Sequence, residues 1–189
     1  MSTNVFAKFR PSPVPRSFTP SHFVASCLEA LPQNCRGVAA DLGCGYGRHS
    51  RLLASLGYTV LAFDLDIRAL QTLNAPLTPP SGAAASKIHP VIANVDADLP
   101  VKAASLNLAL AVHCSIHKHL GPIKDALAPG GWLIYETFGG QGMNWLDLPK
   151  AGQLRRKLAP RFEFLALDER HVGPKEKRSV VVRLFARKR

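Results

Sequence analysis

Val38-Ala39-Ala40-Asp41-Leu42-Gly43-Cys44-Gly45-Tyr46-Gly47 is the stretch on which the fold turns. Its first half, through Gly43, is an apolar run of strand length, and its second half places a glycine at every other position. The segment 46–56 follows with Leu52, Leu53 and Leu56 as an apolar stripe, which predicts a helix that Gly57 ends. A strand that passes through a glycine turn into a helix is the opening unit of an open α/β sheet. In such sheets, ligands lie at the carboxyl ends of the strands. Glycines at 43, 45 and 47 remove the Cβ atoms that would keep a ligand off the backbone.

The same alternation continues on both sides. Upstream, Ser21 or Thr19 is a candidate cap for a helix carrying Phe23, Val24, Cys27, Leu28 and Leu31 on one face, stopping at Pro32. Downstream, the reading is strand 59–64, helix 67–73, a Pro-rich connection 75–86, strands 89–95 and 106–113, helix 123–127, a Pro-Gly-Gly turn and strand 132–138. A basic helix at 153–158 and two strand-like runs, 161–170 and 178–187, close the chain and predict an antiparallel hairpin. Strands that are apolar throughout and separated by helices belong to a parallel sheet covered on both faces. The expected architecture is one three-layer α/β domain over 21–189, preceded by a Pro-rich arm at 1–20.

A dinucleotide fingerprint, G-x-G-x-x-G, would place its third glycine at position 48, which is Arg48. Asp41, opening the loop, is poorly placed for a pyrophosphate and suits a cationic ligand. Asp-x-Gly-x-Gly-x-Gly after a first strand resembles motif I of the class I S-adenosylmethionine-dependent methyltransferases. Asp64 ends the second strand 23 residues later, where that family has a carboxylate bonding both ribose hydroxyls. In Val95-Asp96-Ala97-Asp98 the resemblance implies that Asp96 and the Ala97 backbone meet the adenine edge. Asp66 is a competitor past the strand end that suits a helix cap. The resemblance covers about 20–187 and implies a Rossmann-like methyltransferase domain with a mostly parallel seven-stranded sheet. Its cofactor is S-adenosyl-L-methionine, held by Asp41, Gly43, Cys44, Gly45, Gly47, Asp64, Leu65, Asp96, Ala97 and Val112. Leu133-Ile-Tyr-Glu-Thr-Phe-Gly-Gly140 and the loop after it are similar to a small bacterial subset that includes the tellurite-resistance enzymes. Asn107 departs from the aspartate that opens the fourth strand in many relatives.

Methyl transfer is an in-line displacement at an activated carbon, so alignment and desolvation dominate, with a base needed only when the nucleophile carries a proton. Candidates follow the fourth strand in Val112-His113-Cys114-Ser115-Ile116-His117-Lys118-His119. His113 and His117 are the candidate bases, or groups that position the acceptor. Glu136, the one carboxylate in an apolar run, is a third catalytic candidate, and Asn144 and Trp145 are candidate cavity residues. Cys114 is preceded by His rather than Pro or Thr, so it reads as a buried core thiol rather than a pyrimidine-attacking nucleophile. The histidine spacing matches no metal-ligand set, and no metal is expected.

The 189 residues are 47% hydrophobic and 20% charged, enough for one core. No apolar run spans a bilayer, the first residues lack a hydrophobic signal core, and four cysteines form no C-x-x-C pair. A cytoplasmic, reducing location without membrane partners is the expectation. The net charge of +11 is uneven. Residues 1–149 hold 11 basic and 9 acidic groups, whereas 150–189 hold 13 and 4, a net of +9. The expected acceptor is a small molecule. RNA methylation using the basic end, and a non-catalytic S-adenosylmethionine-binding protein, are the alternatives.

Overall fold

The computed structural model describes residues 18–73, 87–139, 148–172 and 179–189. Most of the expected arm, the 75–86 connection and Asn144 and Trp145 lie outside the described residues. The elements are α1 (His22–Glu29), β1 (Val38–Leu42), α2 (Arg48–Ser55), β2 (Thr59–Asp64), α3 (Ile67–Leu73) and β3 (Ile88–Ile92). They continue with β4 (Leu106–Val112), α4 (Leu120–Ala126), β5 (Leu127–Gly139), α5 (Gln153–Leu158), β6 (Phe162–Val172) and β7 (Ser179–Lys188). The seven strands form one sheet in the order β3-β2-β1-β4-β5-β7-β6. β1 to β5 pair in parallel, and β7 runs antiparallel between β5 and β6. The strand order reverses between β1 and β4, which opens a crevice at their carboxyl ends.

Alternate side chains of each strand feed opposite faces of the sheet. Ala39, Leu108, Leu110 and Ile134 join Val24, Leu53 and Leu73, from α1, α2 and α3, in one core. Ala40, Ala109, Leu133 and Tyr135 join Ile123, Leu154 and Leu158, from α4 and α5, in the other. This is the three-layer arrangement. Among the described residues no helix is long and apolar enough to cross a membrane.

Several boundaries differ from the sequence reading, each for a local reason. The second helix starts at Arg48 rather than Tyr46, because Gly47 is its N-cap with φ 76° and the turn before it is not helical. β3 ends at Ile92 rather than Val95, because Asn94 turns the chain. Its side-chain oxygen accepts the Asp96 N–H (3.1 Å), and its carbonyl accepts those of Ala97 and Asp98. β4 ends at Val112, since His113 has φ 58° and cannot extend the strand. The fourth helix begins earlier, at Leu120, and ends at Ala126. Asn107 lies at the opposite end of the sheet from the crevice. Its Oδ1 accepts the Val38 N–H (2.9 Å), and a Cβ on Gly37 would come within 2.1 Å of that oxygen. The residue that departs from the family pattern therefore starts β1 and is remote from the site.

Candidate active site

Gly43, Gly45 and Gly47 all have left-handed φ, between 52° and 76°, so the loop over β1 is one that other residues rarely adopt. The space beside two of them is already filled by the protein itself. A Cβ on Gly47 would lie 1.8 Å from Leu73 Cδ2, and one on Gly43 would lie 3.0 Å from the Cys114 Cβ. The glycine pattern thus also sets the packing of α2 against α3 and of the loop against the segment after β4. The Cys44 side chain is buried beneath the loop, and its N–H bonds the Phe63 carbonyl of β2.

Asp41 is almost wholly buried, at 1% exposure, and accepts the Ser50 hydroxyl (2.6 Å). Burial pushes its carboxyl up to about 6, against the pull of the Ser50 hydrogen bond and with a push from the Asp64 charge. It therefore underpins the loop and the start of α2 rather than standing open to solvent. Asp64, at the end of β2, clasps the loop. Its Oδ2 accepts the Gly45 N–H (2.7 Å), and its Oδ1 accepts the Asp66 N–H (2.9 Å). Each oxygen keeps a lone pair for a hydroxyl. Asp66 caps the start of α3, accepting the Arg68 N–H (3.0 Å), and Leu65 between them is half-buried. Asp96, after β3, has a buried Oδ1 with no hydrogen-bond partner, an acceptor waiting for a donor. The Ala97 N–H is already taken by the Asn94 carbonyl.

Cys114 is half-buried, packed against Gly43 and against the core on the α4–α5 face. Burial, followed by the charges of Asp96, Asp64 and Asp41, holds its thiol up at about 12. A nucleophilic cysteine needs the opposite shift. These three carboxylates and the thiol mark out one cleft along the ends of β1 to β4.

The fourth-strand histidines separate. His113 is exposed, adjoins Val112 at the end of β4, and stacks edge-on against Phe138 with ring centroids 4.3 Å apart. Its N–H bonds the Glu136 carbonyl, and partial desolvation of the ring by its neighbours, together with the Arg48 charge, lowers its pKa, which Glu136 opposes. His117 is buried in a short 3-10 turn, with its carbonyl accepting Lys157 Nζ from α5 (2.9 Å). Among the described residues no group of three or more His, Cys, Asp or Glu side chains gathers as a metal site.

Glu136 is buried and already engaged. It accepts Arg183 Nε from β7 (2.8 Å) and the Ser21 hydroxyl from the cap of α1. The Ser21 N–H in turn donates to Nε2 of His49 (3.0 Å). Burial, with Arg48 and His113 adding, lowers His49 to about 3, so its ring is neutral with the proton on Nδ1. His49 and Arg183 are partners in this cluster that the sequence reading missed. The placement of a histidine on the inner side of α2, two residues past the last glycine, was the available signal.

A loop with glycine at alternate positions, a strand-end carboxylate with lone pairs to spare and a buried, unsatisfied Asp96 oxygen line the cleft. Residues 39–131 match a family described as a methyltransferase domain. No curated protein sequence matches the chain. Among solved structures, an S-adenosylmethionine-dependent methyltransferase from Mesorhizobium loti is 19% identical, with TM-score 0.64 over 87% of this chain and 96% of that one. A similar protein from Listeria monocytogenes is 15% identical, with TM-score 0.63 over 88% and 98%. Geranyl diphosphate C-methyltransferase from Streptomyces coelicolor, solved with Mg2+, geranyl diphosphate and S-adenosyl-L-homocysteine, is 12% identical, with TM-score 0.64 over 82% and 72%. At these identities the structures establish the fold, and the domain match over just under half of the chain supports methyl transfer. Residues 39–131 thus match a methyltransferase domain, and the seven-stranded sheet that holds them has the fold of the S-adenosylmethionine-dependent methyltransferase structures.

Proposed function

We propose that the chain methylates a small-molecule acceptor in a cytoplasmic setting, with His113 at the acceptor. The observation that carries this reading is the Ser21 clasp. Ser21 ties the start of α1 to His49 of α2 and Glu136 of β5, beside the carboxyl end of β4. A roof tied down there favours a compact acceptor over a polymer. The small-molecule ligand named for the Streptomyces coelicolor neighbour is in keeping with it.

When bound, the cofactor supplies a methyl group on positively charged sulfur. In this reading Asp64 accepts from the ribose hydroxyls, while the buried Asp96 Oδ1 accepts from the adenine amino group. Gly43, Gly45, Cys44, Leu65 and Val112 shape the walls, with Asp41 supporting the loop from below. Ala97 packs at the adenine edge, with its N–H held in the Asn94 turn. His113, kept neutral by its lowered pKa, holds a lone pair that can take a proton from an acceptor hydroxyl or amine. Glu136 and His117 act as positioning residues, Glu136 through Arg183 and the α1 cap. Kinship with the tellurite-resistance subset belongs to the same proposal and draws on the 133–149 sequence.

The test is release of S-adenosylhomocysteine from S-adenosylmethionine in fractionated small metabolites. His113→Ala should leave the cofactor dissociation constant within about twofold and lower turnover by roughly 10²-fold or more. A variant that turns over normally would remove His113 from the reaction.

A further inference from the structure

A second cavity, of about 230 Å³, opens between the β6–β7 hairpin and the segment leading into α5. Leu148, Pro149, Ala151, Val180 and Val182 give it apolar walls. Glu169 is its acidic lining residue. Of the two Glu169 carboxylate oxygens, Oε2 accepts the Gly152 N–H (2.7 Å), and Oε1 is buried with no hydrogen-bond partner. A buried, unsatisfied carboxylate oxygen is costly to maintain, and an N–H donor entering the cavity would relieve that cost. The two basic lining residues, Lys150 and Arg170, do not bond this oxygen. Arg170 pairs with Asp168 (3.0 Å), and Lys150 is exposed.

The cavity opens on the α4–α5 face of the sheet, near the carboxyl end of β5. Val182 sits opposite Thr137 in the β5–β7 register, and the adjacent Glu136 sits opposite Val112 at the end of β4. Two strand spacings separate β7 from β4, about 10 Å. At ~30 Å³ per water the cavity holds only about seven or eight waters, which suits a short ligand arm.

We infer that this cavity is the acceptor's anchoring subsite and that it takes a short apolar arm ending in a protonated amine at Glu169. The assignment rests on the methyl-transfer reading. Apolar walls beside the unsatisfied Glu169 oxygen select an N–H donor on a hydrocarbon stem.

The full chain, saturated with S-adenosylhomocysteine, is titrated with n-alkylamines from propylamine to hexylamine and with the matching alcohols and carboxylates. Calorimetry or ligand-observed NMR reads the binding. Amines are expected to bind at least tenfold tighter than alcohols of equal length, and carboxylates weakest. Glu169→Gln keeps an oxygen for the Gly152 N–H but presents an amide donor in place of Oε1. It should lose amine binding by tenfold or more while cofactor affinity stays unchanged. Val180→Phe, which fills the cavity and leaves Glu169 intact, should weaken the longer amines most. Amines and alcohols binding alike, or Glu169→Gln binding amines as the wild type does, would overturn the subsite while leaving methyl transfer standing. A folded wild-type chain that binds no S-adenosylmethionine would instead overturn the functional reading on which the subsite rests.

Discussion

Asp64 does two tasks with one carboxylate, holding the glycine loop by the Gly45 N–H and retaining lone pairs for a ligand. Asp64→Ala should raise the cofactor dissociation constant roughly ten- to a hundredfold, the loss of hydrogen bonds of about 1.5–3 kcal/mol. Calorimetry on the folded variant reads this directly, and an unchanged constant would remove the assignment. Asp41 has the opposite character, because the fold stabilises its neutral form. A carboxyl raised from 3.8 to about 6 contributes stability that is complete below pH 3.8 and is lost as pH rises through 6. Asp41→Asn, neutral throughout, should therefore stabilise the cofactor-free chain at pH 7.5, by about 3 kcal/mol at most. Denaturant unfolding at pH 7.5 and pH 4 checks this, and the advantage should vanish at the lower pH.

The first helix is held as an element by its cap. The Ser21 hydroxyl accepts the Val24 N–H and donates to Glu136, so one side chain both starts α1 and ties it to β5. Arg183, beneath the Phe23 ring at 5.5 Å, completes the attachment. Ser21→Ala should cost about 1–2 kcal/mol, the usual range for a lost cap. Amide exchange should quicken in α1 and stay unchanged in β1. Uniform acceleration across the sheet would mean that the clasp stabilises the whole fold rather than this helix.

Across the whole molecule, much of the basic excess of 150–189 is used internally. Lys157 bonds the His117 carbonyl, and Lys188 bonds those of Lys124 and Leu127. Arg183, Arg161 and Arg170 pair with Glu136, Asp125 and Asp168, and Arg155 and Arg187 lie over Phe164 and Trp132. Cations held this way are poorly free to release counterions from a polyanion. Binding of single-stranded RNA at 0.15 M salt should be no tighter than about 1 μM. Tight binding that falls steeply with salt would restore the RNA alternative.

The order of strands and helices, the crevice beside β1, and the candidates Asp41, Asp64 and Asp96 were legible along the chain. Each rests on local chemistry: glycine at left-handed turns, apolar periodicity, and a carboxylate at a strand end. What tertiary structure alone decided is which groups are free and which are committed. Glu136 reads as a lone carboxylate, yet Arg183 reaches it from 47 residues away and Ser21 from 115. His113 and His117 look equivalent in sequence, and a left-handed residue at the end of β4 sends one to the rim and the other under α5. Burial and long-range pairing depend on the whole packed chain, so no window of sequence around these residues contains them.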